Sequence, residues 1–119
     1  MIQPRRIFVG TLLWFVLPWP LSSQVAAPPV RVGFRNDLSV PILLRDLTQP
    51  LAPPIRLVPK ETVWDRLPAN ARIPIAISDA ASGQVLAKTI LTVPPAGSVL
   101  FSIQLNPAGN VVLTPRLAP

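Results

Sequence analysis

The sequence predicts an all-β protein: a small immunoglobulin-like antiparallel β-sandwich of about seven strands, preceded by a signal peptide. Apolar and polar residues alternate between turn signals, most clearly from Arg72 to Ser78 and from Ser98 to Leu105. Such runs recur at spacings of about ten residues, as in sandwich folds. Prolines after residue 26 are too dense for long helices. A small β-barrel is the alternative architecture.

The first 26 residues have the three parts of an export signal. Arg5 and Arg6 form the basic start, Ile7 to Leu17 is apolar, and small residues lead to Ala26. The apolar run is shorter than the roughly 20 residues of an ordinary membrane span, which makes an uncleaved anchor the less favoured alternative. We therefore expect residues 1–26 to be a signal peptide and the protein to be exported, to the bacterial periplasm or the extracellular space.

The same segment also resembles a twin-arginine export signal. Arg5 and Arg6 are followed two residues later by Phe8, whereas Val9 and Gly10 depart from that pattern. A receptor reads signals of this kind. The resemblance implies bacterial export of an already folded protein.

Residues 27–119 are expected to form a single domain with a proline-rich loop near residues 48–59. The first two strands are predicted at Val30 to Asn36 and at Val40 to Arg45. Later strands are predicted at 55–58, 60–64, 72–78, 85–93, 99–105 and 111–113.

The first two strands are predicted to form a hairpin with Asn36 opposite Val40, because the inward apolar residues then match, as Phe34 does with Ile42. This pairing places three arginines on one outward face: Arg31, Arg35 and Arg45. Arg31 would lie directly opposite Arg45, and an anionic partner would offset the repulsion of that pair. The alternative is a solvated face with splayed side chains.

Two features of the central strands bear on their pairing. Pairing Asp79 with Gln84 would place Lys88 on the inward face, whereas pairing Ser78 with Gln84 keeps it outside the core, so we prefer the second register. Pro74 has no N–H to donate, so the strand at 72–78 is not expected to be paired on both sides throughout. We predict that this strand lies near an edge of its sheet.

The run from Phe34 to Pro41, followed by Trp64, by residues 77–79 and by Val85-Leu86, resembles small exported bacterial β-sandwich proteins of uncharacterised function. The similarity spans most of the chain after the signal. It implies a sandwich fold and identifies no activity or site.

The residue inventory excludes many enzyme mechanisms. Without His or Cys there is no Ser-His-Asp or Cys-His arrangement, and the preferred ligands of zinc are missing. The remaining chemistry rests on five carboxylates: Asp37, Asp46, Glu61, Asp65 and Asp79. We expect these acids to cap turns, and we keep a carboxylate-dependent hydrolase as the alternative. No cofactor, metal site or catalytic residue is predicted.

Trp64 is the only tryptophan after the signal. It is expected to anchor the core of a small domain, because a large aromatic ring contributes much buried area. The functional alternative is a stacking platform for a sugar or peptide, with Arg56 and Arg66 near it in sequence.

Charge and composition predict the kind of partner and the general function. Without Arg5 and Arg6, nine basic residues face five acidic ones, a net charge of +4. No basic run with interleaved aromatics is present, so no nucleic-acid partner is expected. We predict an exported, non-catalytic structural or binding module of the cell envelope or extracellular space, whose partner is an envelope protein or an anionic polymer. A subunit that pairs a sheet edge with a partner is a further alternative.

Overall fold

The structure is a computed structural model that describes residues 27–117; the predicted signal peptide lies outside the described residues. These residues form eight β-strands in two four-stranded sheets, and no helix occurs among them. The predicted all-β sandwich is confirmed. The two sheets share no strand, which distinguishes the fold from the alternative barrel.

The strands follow the alternating runs of the sequence closely. They are β1 (Val30–Asn36), β2 (Ile42–Asp46), β3 (Ile55–Leu57), β4 (Thr62–Leu67), β5 (Arg72–Asp79), β6 (Val85–Thr92), β7 (Ser98–Leu105) and β8 (Val111–Leu117). The first sheet has the order β4-β1-β7-β8 and the second has the order β3-β2-β5-β6. The β1–β7 pair is parallel, whereas the other pairs of the described residues are antiparallel.

The core lies between the sheets and consists of the inward residues of the alternating runs. The rings of Phe34 and Phe101 stack with their centroids 6.1 Å apart. Around them pack further fully buried side chains, among them Val30, Val32, Ile42, Leu57, Ile77 and Ile103. Each such side chain contributes about 1.5–3 kcal/mol through burial, and a chain without cysteine depends on this burial for its stability.

The predicted hairpin between the first two strands is wrong. β1 pairs with β4 and β7, whereas β2 pairs with β3 and β5 in the other sheet. Residues 37–41 therefore carry the chain across the sandwich. Phe34 and Ile42 both point into the core, as predicted, but from opposite sheets. Alternation identifies the buried face of a strand, and a face-to-face pair shows the same alternation as a hairpin.

Asn36, at the end of β1, fixes this crossing. Its side chain is fully buried, and its amide donates hydrogen bonds to the carbonyls of Val40 at 2.9 Å and Leu57 at 3.0 Å. Its side-chain oxygen accepts a hydrogen bond from the backbone N–H of Leu38 at 2.9 Å. One side chain thereby joins the end of β1 to the segment before β2 and to β3, and it satisfies three backbone groups that would otherwise be unpaired.

The predictions for β5 hold in part. Ladder pairing with β2 covers only Ile75–Asp79, so β5 is not paired on both sides throughout, as expected. At Pro74 the β2 side is limited to one hydrogen bond, which its carbonyl accepts from the N–H of Leu47 at 2.9 Å. β5 lies next to the edge strand β6, which agrees with its predicted place near an edge of the sheet. Lys88 is exposed, as predicted, but the preferred register is wrong. Ser78 lies opposite Val85, and the N–H of Asp79 donates to the carbonyl of Gln84 at 2.8 Å, while a bulge at Ile77/Ser78 places Ala87 opposite Ile77.

We expect substitution of Asn36 to destabilise the fold strongly. In Asn36→Ala, the carbonyls of Val40 and Leu57 and the N–H of Leu38 lose their partner, which costs about 2–4 kcal/mol in the free energy of unfolding. Asn36→Asp retains the acceptor but loses both donors, so it should also be destabilised. Urea unfolding followed by circular dichroism measures the change. The exposed Asn110→Ala is the control and should change stability by less than about 0.5 kcal/mol; an equal change in the two Ala variants would contradict the role of Asn36.

Candidate functional site

The outer face of the first sheet carries the charged residues of β1. Because alternate residues point to opposite sides of a strand, Arg31, Gly33 and Arg35 face away from the core. In the register of the sheet, Gly33 lies between Trp64 of β4 and Leu100 of β7.

Five basic residues lie on or beside this outer face, and we call them the basic face: Arg31, Arg35, Lys60, Arg66 and Arg116. They come from β1, β4, β8 and the turn between β3 and β4. Nine basic residues fall within 27–117, so more than half of them are collected here. Within the described part of the chain, Asp37 is the acid that forms ion pairs with this face, and Asp65 lies next to Arg66 at the β4 edge.

An open groove of about 890 Å³ lies at one end of the basic face. Three basic residues line it: Arg35, Lys60 and Arg116. Five apolar residues also line it: Leu38, Val40, Leu86, Leu105 and Val111. The groove therefore offers a cationic side and an apolar side to the same ligand.

A polar network extends along the cationic side of the groove. Nε of Arg35 lies 3.0 Å from both carboxylate oxygens of Asp37, and Nζ of Lys60 lies 3.6 Å from that carboxylate. The buried hydroxyl of Ser102 donates a hydrogen bond to Asp37, and its oxygen lies 2.9 Å from Oε1 of Gln104. Arg116 donates to the same Gln104 oxygen at 3.3 Å. The network thus connects all three basic residues of the groove.

The carboxyl group of Asp37 is held in its ionised form. Burial raises its pKa, but the hydrogen bonds from Ser102 and Arg35 and the charges of Arg35 and Lys60 outweigh burial and place the pKa below its usual value. Asp37 therefore stays negative at neutral pH and holds Arg35 in one orientation.

The three arginines singled out in the sequence do not form one surface. Arg31 and Arg35 lie on the same side of β1, but Arg45 belongs to the second sheet, where it lies 3.5 Å from the carbonyl of Ala52. The residue directly opposite Arg31 is Arg66. A like-charge cross-strand pair is therefore present, with a different partner from the one predicted.

Trp64 is half-buried on the outer face of the first sheet, so it does not fill the interior core. Its ring lies directly above Gly33, where a Cβ atom would come within 2.7 Å of Cζ3. The guanidinium of Arg31 lies 4.0 Å from the ring centroid, a cation–π contact. Only glycine at position 33 permits this packing, which also covers Leu100.

The other carboxylates mainly accept hydrogen bonds from nearby backbone N–H groups. Asp46 binds Thr48, Glu61 binds Val58, Asp65 binds Arg66, and Asp79 binds Ala81 and Ser82. Asp46 and Asp65 also line one small cavity of about 70 Å³, whose other walls are apolar. That volume is far below the roughly 300–1,000 Å³ of ordinary small-molecule sites. Within residues 27–117, no group of three or more potential metal-ligating side chains occurs.

Comparisons with known proteins add no further assignment. Neither the protein-family models nor the curated proteins contain a match to the chain. Residues 27–117 contain no helix of the length and hydrophobicity that a membrane crossing requires. The function proposed for the protein therefore depends on the basic face and its groove.

We expect the stability of the protein to fall in acid because of Asp37. Its pKa is lower in the folded than in the unfolded chain, where it is about 3.9, so its contribution is present above that pH and is lost as the pH falls through the folded value. Asp37→Asn should lower stability at pH 7 by about 1–2 kcal/mol and flatten the decline below pH 4.

Urea unfolding at a series of pH values between roughly 2 and 7 measures this dependence. Ser102→Ala removes one of the hydrogen bonds that lower the pKa of Asp37, so its acid decline should begin at higher pH than in the wild type. If the free energy of unfolding of Asp37→Asn fell in acid as steeply as that of the wild type, groups other than Asp37 would cause the decline.

Proposed function

We propose that the protein is an exported, non-catalytic binding module of the cell envelope or extracellular space, and that it holds an anionic partner on the basic face. The export part of this proposal rests on the signal-like residues 1–26. The binding part rests on the outer face of the first sheet.

The observation that carries the proposal is the concentration of positive charge. Arg31 and Arg66 are directly opposite each other, and Arg35, Lys60 and Arg116 gather around one carboxylate. Facing like charges are unfavourable in the free protein. A polyanion or an acidic protein surface would relieve that repulsion and gain charge-assisted hydrogen bonds from the arginines.

The positions of the carboxylates support a non-catalytic role. Paired carboxylates that hydrolyse a glycoside need space between them for the sugar and for water. Asp46 and Asp65 share only the small cavity described above, and both already accept backbone hydrogen bonds. Ser102, which contacts Asp37, is fully buried, so no substrate carbonyl reaches its hydroxyl.

A second candidate function uses the sheet edges β6 and β8. A groove of about 330 Å³ lies between them and is lined mostly by apolar residues, including Leu91, Phe101 and Leu113. Ile90 on β6 is 48% exposed beside it. An added strand from a partner would pair with such an edge. Binding through this edge would be insensitive to salt, which separates it from binding through the basic face.

The proposal predicts salt-dependent binding to a linear polyanion, for which dextran sulfate is a suitable probe. Arg66→Ser/Arg116→Ser should weaken binding and reduce the slope of log K against log salt by about one to two units. Arg56→Ser/Arg72→Ser removes the same charge from exposed positions of the second sheet and is the matched control.

Binding isotherms at several salt concentrations, measured for both variants and the wild type, decide the question. If both double variants lose affinity equally, net charge and not the basic face determines binding, and the proposal fails.

A further inference from the structure

We propose that the groove beside Asp37 binds an anionic amphiphile, a molecule with one acidic head group and a hydrocarbon chain. This inference deepens the proposed function and rests on it, because the head group would occupy one end of the basic face. It adds a ligand class that charge alone does not specify.

The cationic side of the groove suits a single acidic head group. Asp37 binds Arg35 through Nε, so this ion pair does not use the donors of the two terminal nitrogens of the guanidinium. The side chain of Lys60 is 79% exposed, and Arg116 lies on the β8 side of the groove. Three positive charges against one carboxylate leave a net charge of +2, which matches a phosphate or carboxylate group.

The apolar side of the groove suits a hydrocarbon chain. Leu105 is 58% exposed and Val40 is 38% exposed, and both line the groove. Leu38, by contrast, is buried and extends the apolar lining inward. Removing exposed apolar surface from water is favourable. A ligand chain along this side would gain that energy while its head group remains with the three cations.

The size and polarity of the groove separate it from the other depressions of the described residues. Its volume of about 890 Å³ lies in the range of small-molecule sites. The groove between β6 and β8 has no charged residue in its lining, and the depression at Arg31, Trp64 and Arg66 has no aliphatic wall. Of these three depressions, the groove beside Asp37 is the one that has both basic and aliphatic residues in its lining.

Titration calorimetry on the full chain tests the proposal with soluble alkyl anions as probes. Octyl phosphate should bind at least about tenfold more tightly than butyl phosphate, because each buried methylene adds about 0.8 kcal/mol, or about fourfold in affinity. Inorganic phosphate should bind more weakly still. Octanoate is a second arm, and its affinity relative to octyl phosphate shows whether a carboxylate or a phosphate head group is preferred.

Two pairs of variants locate the site. Lys60→Ser/Arg116→Ser removes head-group contacts, and Val40→Ser/Leu105→Ser removes chain contacts; each should weaken octyl phosphate binding by about tenfold or more. The controls are Arg56→Ser/Arg72→Ser for charge and Val85→Ser/Ile90→Ser for apolar exposure, since Val85 and Ile90 are each 48% exposed on β6. If a double variant does not fold, its single exposed substitutions replace it.

The outcomes separate this inference from the proposed function. Equal affinity for butyl and octyl phosphate, or equal losses in the groove and control variants, overturns the inference. If dextran sulfate binding still depends on the basic face in that case, the proposed function stands. If dextran sulfate binding is also independent of the basic face, both fail.

Discussion

The buried side chain of Asn36 is the interaction on which the rest of the fold depends. The chain must leave the first sheet after β1 and enter the second sheet at β2, and such a crossing leaves backbone groups without strand partners. Asn36 supplies those partners from one amide group. Its backbone carbonyl accepts a hydrogen bond from the N–H of Lys60 at 2.6 Å, and its backbone N–H donates to the carbonyl of Glu61 at 3.0 Å. The crossing, the end of β3 and the β3–β4 turn are therefore fixed together.

The contacts of Asn36 also position two residues that line the groove beside Asp37. Asp37 follows Asn36 directly, and its N–H binds the carbonyl of Ile103 at 2.9 Å. Lys60 has φ of 71°, a conformation that costs a residue with a side chain about 1–2 kcal/mol, and the bond to Asn36 helps to hold it there. The positions of Asp37 and Lys60 in the groove thus depend on Asn36, which is neutral and buried. Stability and the proposed binding activity are coupled at this end of the sandwich.

The sequence predicted the strands well because alternation is a local property. β1 was predicted at its observed bounds, and the inward faces of β1 and β5 are as expected. The pairing of β1 with β2 was wrong, since a short polar turn and matched apolar residues fit a hairpin and a crossing between sheets equally well. Arg116 was missed as a site residue because only the β1–β7–β8 order brings it to the groove beside Arg35. Trp64 was expected inside, but Gly33 offers it a place on the outer face, a relation between two strands that no local pattern reveals.

The central claim is that the end of the sandwich organised by Asn36 is where anions bind. Amide chemical-shift mapping by NMR during a titration of the labelled protein with octyl phosphate tests it most directly. The account predicts that the largest shifts cluster at residues lining the groove, such as Arg35, Lys60 and Leu105. Shifts centred on the β6–β8 edge, or spread evenly over the surface, would contradict it.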